Sequence, residues 1–417
     1  MRRYFLGLTA MAAIAGTSSA AWAGDDSREG VPNLDHVFVL VLENHNSFTS
    51  FGSIGILDNP NAPHIQALAK KYNFASNYNG VWHPSLPNYV AMIAGDWIGT
   101  DVVATGHTYA PNSTVGISDD DSPSVATDYP SPPANVSIHR WRVNLPSLAG
   151  QLTAHGKDWR AYLQNIPESG TSLANWPGDN NTAKLYAVKH NPFPYIAEVQ
   201  DDPAQFARQV PIEQLFSDLG AKTVPAFSYI VPDQCRDMHG IGNVLAPCGG
   251  VNDTDAIDVK RGDDETFWLV NGITGSPVWK EGRNALFVVF DEGNGPLTCN
   301  YSPDTPVTDV VPGTLLPGPD CYDPKNFNDK VVMLVITNYG TRGIVDNHFY
   351  DHFSLLKTIE AAFDLPFIGH ARDPGTHTMA PLLQPVVAMV IRARCRPGPA
   401  ATSGIPRRPV PGAGGTP

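Results

Sequence analysis

The chain has little charge, and little of it is positive. Of its 417 residues 17% are charged, 28 basic against 41 acidic, for a formal net charge of −13 at pH 7. Phosphate-backbone binding needs a basic footprint, so this balance argues against a nucleic-acid partner. It does not argue against a small phosphorylated substrate, because a bound cation reverses the local field. Past the amino-terminal segment no stretch reaches about 18 consecutive apolar residues, so the mature chain offers no candidate transmembrane segment. The 5 cysteines include no C-x-x-C pair, which weakens zinc-ribbon and thioredoxin-type readings. Walker A, G-x-G-x-x-G, H-E-x-x-H and G-x-S-x-G are also missing. Support for P-loop, dinucleotide-binding, zincin and ordinary serine-hydrolase chemistry goes with them. What is present is apolar bulk: 42% hydrophobic residues can bury a core and exclude global disorder. Gly (37) and Pro (38) are somewhat enriched and indicate long loops.

Arg2 and Arg3 precede an apolar run over 4–16 and small residues ending Ala21-Trp22-Ala23. This is the layout of a secretory signal over 1–23, cleaved before Gly24. The paired arginines fit twin-arginine export as well as an ordinary Sec signal. A secreted or periplasmic location follows, and in an oxidising compartment Cys235–Cys248 and Cys299–Cys321 are expected local disulfides. Cys395 is left over, and the alternative is that all five are free thiols.

Four apolar, β-branched runs read as buried strands: HVFVLVL at 36–42, AFSYIV at 226–231, ALFVVF at 285–290 and VVMLVIT at 331–337. Shorter strands are expected at 73–78 and 159–163. Helical spacing covers 63–72, 87–94, 145–155, 211–219, 264–273 and 354–363. The alternation predicts one α/β domain over 24–393 with a mostly parallel sheet. Residues 99–140 and 293–328 read as long loop excursions, and 394–417 as a disordered Pro/Gly/Arg-rich tail.

Parallel sheets bind ligands at the carboxyl ends of their strands. Polar residues after each buried run are therefore the site candidates. They are Glu43 and Asn44; His83, Ser85 and Asn88; Asp233, Asp237 and His239; Asp291 and Glu292; and His348, Asp351 and His352. Each acid alone could cap the helix after its strand. Several carboxylates at one sheet edge repel unless a cation binds them, and oxygen ligands favour a hard divalent ion. Ser85 at a helix start reads either as an N-cap or as a hydroxyl nucleophile beside an anion site.

Taken in order, these segments resemble a known family. They are LENHNSF at 42–48, SLPNY at 85–89, Pro232-Asp233 through Asp237-Met238-His239, FDEG at 290–293 and DHFSLLKTIE at 351–360. Together they are similar to the secreted bacterial phosphoesterases that include acid phosphatases and phospholipases C, within the alkaline phosphatase superfamily. The resemblance spans about residues 35–370. It implies an alkaline phosphatase-like three-layer α/β sandwich with long loop excursions. It implies Glu43, Asn44, Asp291 and Glu292 as metal ligands, for Mg, Ca, Mn or Zn, and Ser85 as a nucleophile that forms phosphoserine. His239 and His352 are implied near the phosphoryl group as catalytic residues. Asp233, Asp237 and Asn88 would serve a second metal or the phosphate. The implied activity is a secreted, metal-dependent acid phosphatase acting on phosphate monoesters, phosphoinositide headgroups among them. A phospholipase C-type diesterase is the first alternative, and a non-catalytic binding protein on the same fold the second.

Overall fold

The computed structural model describes residues 28–50, 52–81, 85–96, 144–166, 173, 175–176, 185–241, 248, 254–293 and 329–384. The expected signal, the excursion at 99–140, most of that at 293–328, His83, Cys299, Cys321, Cys395 and the expected tail lie outside the described residues.

Among the described residues ten strands occur in chain order: β1 (His36–Leu42), β2 (Asn73–Ala75), β3 (Tyr78–Asn79), β4 (Trp159–Leu163), β5 (Gln209–Pro211), β6 (Phe227–Val231), β7 (Asn284–Phe290), β8 (Met333–Thr337), β9 (Val345–Asp346) and β10 (Tyr350–Asp351). Eight of them form one sheet, in the order β5-β4-β6-β1-β7-β8-β2-β9, and β10 pairs with β3 beside it. From β5 to β7 every pairing is parallel. Side chains on both faces of β1 and β7 are sealed from solvent, as a sheet covered on each side requires. Two helix groups provide the cover. One packs α2 (Ser85–Ala94) with α3 (Leu148–Ala154) and α6 (His352–Ala362), and the other packs α1 (Pro63–Lys71) and α4 (Glu213–Ala221) against α5 (Asp255–Gly275). The fold is thus α/β, layered helix–sheet–helix, with a mostly parallel centre.

One strand departs from the simple alternation. β8 runs antiparallel to β7, with Val289 opposite Met333 and Ala285 opposite Thr337. Its start, not its end, therefore stands at the edge where β1, β6 and β7 finish. The residue that matters there is Asp329, before the strand, which a search after each strand passes over. His348 follows β9 and is mostly exposed, bonded to Asp346 through Nδ1 at 2.6 Å.

Helix ends are capped by identifiable groups. Ser147 and Asp351 cap α3 and α6 through their side chains. Ala62 at the start of α1 has no such side chain, and Asp263 of α5 substitutes for it. Its two oxygens accept from the His64 and Ile65 N–H groups at 2.9 and 2.8 Å. Helix α5 is longer than the expected 264–273. Its early turns are polar on the outer face, with a Lys260–Asp264 pair at 2.7 Å, while Val259, Thr266, Leu269 and Ile273 are buried.

Within α6 lies a buried carboxyl remote from the sheet edge. Glu360 Oε1 accepts from Ile368 N at 3.0 Å, whereas Oε2 has no hydrogen-bond partner among the described residues. Gln151 is beside it, and its own Oε1 is likewise unbonded. Burial pushes the Glu360 carboxyl up to about 9. Cys235 and Cys248 form the first of the two expected disulfides.

Candidate active site

Glu43, the first residue after β1, is fully buried and is the hub of the edge. Its Oε2 accepts from Ser85 Oγ at 2.9 Å, and its Oε1 accepts from the Tyr89 hydroxyl at 2.5 Å. Ser85 opens α2 and Tyr89 lies one turn on, so one helix end delivers both groups. Pro87 sits in the first turn, where its missing N–H costs nothing.

A histidine outside the expected set joins them. His190 closes a 3₁₀ turn, Val188–His190, with Nε2 3.2 Å from Glu43 Oε1 and Nδ1 3.0 Å from Asp237 Oδ2. Its ring stacks on Tyr89, with centroids 5.3 Å apart and planes 9° from parallel. Asp237 lies in the segment after β6. Its Oδ1 accepts from His239 N at 2.7 Å, and its carbonyl accepts from Glu43 N at 2.8 Å. Between them Met238 holds φ +82°, strained backbone for a side chain of that size. Asn44 is also left-handed, at φ +57°, which asparagine tolerates; this turns its N–H onto Asp291 Oδ1 at 3.1 Å.

The two expected histidines differ in availability. His239 Nδ1 is 2.7 Å from the Gly240 carbonyl and Nε2 is 3.1 Å from Lys189 Nζ. A carbonyl only accepts and an ammonium only donates, so Nδ1 carries the proton and Nε2 presents its lone pair. His352 is sealed: Nε2 donates to the Asp291 carbonyl at 2.5 Å and Nδ1 accepts from Tyr78 Oη at 2.9 Å. Burial lowers its pKa to about 4, so the ring stays neutral.

The carboxylates are crowded and dry. Glu43 is pushed well above the usual range by burial first, then by Asp291 and Asp237. Burial likewise raises Asp237 well above its ordinary value and Asp291 to about 6. Asp291 Oδ2 has no hydrogen-bond partner among the described residues. Such a cluster fits a divalent cation, which would neutralise charge that Lys189 only partly offsets. Glu43, His190 and His239 each present one donor atom, all within 4.8 Å of one another.

Residues 41–366 match the phosphoesterase family. The chain belongs to that family. Among its relatives is a probable acid phosphatase of Kluyveromyces lactis, 22% identical over 302 residues, covering 72% of this chain and 54% of that protein. A phosphatidylinositol-3-phosphatase of Mycobacterium tuberculosis is 22% identical over 379 residues, covering 89% and 93%. The chain thus spans about half the length of the yeast relative and nearly all of the mycobacterial one. Among solved structures, an alkaline phosphatase superfamily protein from Vibrio parahaemolyticus aligns with TM-score 0.41 and 12% identity, over 81% of this chain and 68% of that one.

The expected residues do not all meet in one cluster. Glu43, Ser85, Asp237 and His239 are linked through His190 and Tyr89, and Asp291, to which Asn44 donates, lies against Glu43. Glu292 meets Asn88, whose Nδ2 donates to Glu292 Oε2 at 3.3 Å while its Oδ1 accepts from Val81 N at 2.8 Å. Asp233 is spent elsewhere: Arg236 and Asn165 donate to its Oδ2 at 2.7 and 2.5 Å, which holds the turn after β6. Asp351 caps α6, donated to by Ser354 N at 2.9 Å. Three residues were missed: His190, Lys189 and Asp329. The run Lys189-His190-Asn191 follows no strand; its signal is an adjacent basic, imidazole and amide group inside an apolar stretch. Asp329 accepts from Gly293 N with both oxygens, at 3.0 and 3.1 Å, and so bonds the start of β8 to the end of the acidic pair. A second His/Asp group, His64 with Asp263 and Asp264, is explained by the capping of α1.

Proposed function

We propose that this chain is an exported, metal-dependent phosphomonoesterase of the acid phosphatase kind, working through phosphoserine at Ser85. One observation carries the reading: the Ser85 hydroxyl stands at a helix N-terminus, 2.9 Å from a buried carboxylate that is itself part of a histidine–carboxylate cluster. That arrangement supports a nucleophile, a proton acceptor and an anion-binding helix end acting together. Glu43, His190 and His239, with Asp291 beside them, would hold a divalent ion, which would supply positive charge to the phosphoryl oxygens.

The residues then divide the work. The Ser85 Oγ–H proton moves to Glu43 Oε2 as the Oγ–P bond forms; the bond from phosphorus to the leaving oxygen breaks, and that oxygen takes a proton from solvent and departs as the alcohol. In the second step water attacks phosphorus and gives one proton to solvent, the Oγ–P bond breaks, and Oγ regains the proton held by Glu43. The amino-terminal end of α2 lends partial positive charge to the phosphoryl oxygens. His352 takes no part in proton transfer, since both its ring nitrogens are engaged; it fixes the backbone of Asp291. Asn88 orients Glu292. The mycobacterial phosphatase, matched over nearly its full length, supports a phosphoinositide headgroup among the monoester substrates. The signal-like segment 1–23 supports export.

The test is hydrolysis of an aryl phosphate monoester and of a choline phospholipid, from pH 4 to 9, with and without chelator, beside Ser85→Ala. Expected are chelator-sensitive monoester hydrolysis and a loss of at least about 10³-fold in Ser85→Ala. Activity that survives Ser85→Ala removes the nucleophile assignment. Hydrolysis of the phospholipid alone makes the chain a diesterase of the phospholipase C type.

A further inference from the structure

We propose that Lys189 is the specificity residue that makes this site prefer a monoester dianion to a diester. The inference rests on the phosphoesterase reading above and deepens it.

The geometry begins with exposure. Glu43, Asp237, Asp291 and His190 are sealed from solvent, whereas Lys189 and His239 are only partly covered. They are therefore on the side of the cluster that a ligand from solution meets. Lys189 Nζ lies 3.1 Å from Nε2 of His239, one of the three residues whose donor atoms cluster within 4.8 Å. Its positive charge is felt by the carboxyls of Glu43, Asp237 and Asp291 alike. Its backbone is also held. His190 beside it is set between Glu43 and Asp237, and Asn191 Nδ2 donates to Tyr186 Oη at 2.9 Å and to Gln209 Oε1 at 2.7 Å. A rigid turn fixes where the ammonium can reach.

Charge supplies the specificity. Ionised around a divalent ion, the four buried carboxyls of Glu43, Asp237, Asp291 and Glu292 would outnumber its charge by two. A monoester dianion entering that field is repelled twice as strongly as a diester monoanion, since the interaction scales with the ligand charge. The Lys189 ammonium offsets half of the excess, and its attraction scales in the same way. A dianion also keeps an extra anionic oxygen that can accept a charge-assisted hydrogen bond from Nζ.

The experiment compares wild type, Lys189→Met and Lys189→Arg on an aryl phosphate monoester and a bis-aryl phosphodiester. Lys189→Met is expected to lose about 10- to 100-fold in kcat/KM on the monoester, the range for a charged hydrogen bond, and under about 3-fold on the diester. Lys189→Arg, which keeps the charge, is expected to hold the monoester within about 5-fold of wild type. Calorimetric titration of the magnesium-supplemented proteins with inorganic phosphate gives a second readout, with affinity about 10-fold weaker in Lys189→Met. Equal losses on both esters, or unchanged phosphate affinity, overturn the role of Lys189. If wild type hydrolyses neither ester the proposed activity is lost, and the phosphate titration still decides for or against Lys189.

Discussion

Replacing Glu360 by glutamine is expected to stabilise the protein above neutral pH and leave it unchanged under acid. The carboxyl is raised from 4.5 to about 9 by burial, against weaker opposing effects from Gln151, Ile368 N, Arg28 and Arg372. In the native state it keeps its proton across that window, while in the unfolded chain it has released it. The proton's contribution to stability is therefore complete below about pH 4.5 and is lost as pH rises toward about 9. At 1.36 kcal/mol per pH unit the ceiling is about 3 kcal/mol at pH 7, and adjustment of a real interior brings it to about 1–2 kcal/mol. Glutamine imitates the protonated acid at every pH. Its carbonyl can accept from Ile368 N, and its amide N–H can donate to the unbonded Gln151 Oε1. Thermal unfolding at pH 5, 7 and 8.5 checks this. The expected gain is near zero at pH 5 and about 2 kcal/mol at pH 8.5, a shift of roughly 2–3 °C. Parallel stability curves for the two proteins across that range would refute the argument.

Two further outcomes follow from close approaches. A methyl group at Gly80 would lie 2.5 Å from Asp329 Oδ2 and 2.9 Å from the Asp291 carbonyl that His352 also holds. Gly80→Ala should therefore cost about 1–3 kcal/mol in denaturant unfolding and lower turnover in the proposed monoester assay at least about 10-fold; full turnover would show that the edge yields. Cys235 and Cys248, 13 residues apart, close a loop beside Asp237. Reductant should lower the unfolding free energy of wild type by about 3 kcal/mol and leave Cys235→Ser unaffected.

The central strands could be read from sequence because a covered parallel sheet demands continuous β-branched runs, and HVFVLVL and ALFVVF are such runs. The first acids after them, Glu43 and Asp291, follow from the same rule. The direction of β8 was not legible, since a buried run looks alike in either direction, and Asp329 was missed for that reason. His190 and Lys189 lie on a 3₁₀ turn too short to have a period of its own. The beginning of α5 was hidden by its outward-facing charges, and the role of Asp263 by distance, for it caps a helix 199 residues away in sequence. His352 sits at the expected edge, but only its hydrogen bonds show that it faces a carbonyl and a phenol.

The bond from Gly293 N to the two Asp329 oxygens ties together the ends of the intervening 294–328 stretch. A chain segment whose ends are already clasped pays loop-closure entropy only as the logarithm of its length, about 0.6 kcal/mol for each doubling. Both ends leave from the edge that carries Asp291 and Glu292. Relatives can therefore lengthen or rewrite this stretch at little cost to the sheet, while the acidic pair stays in register.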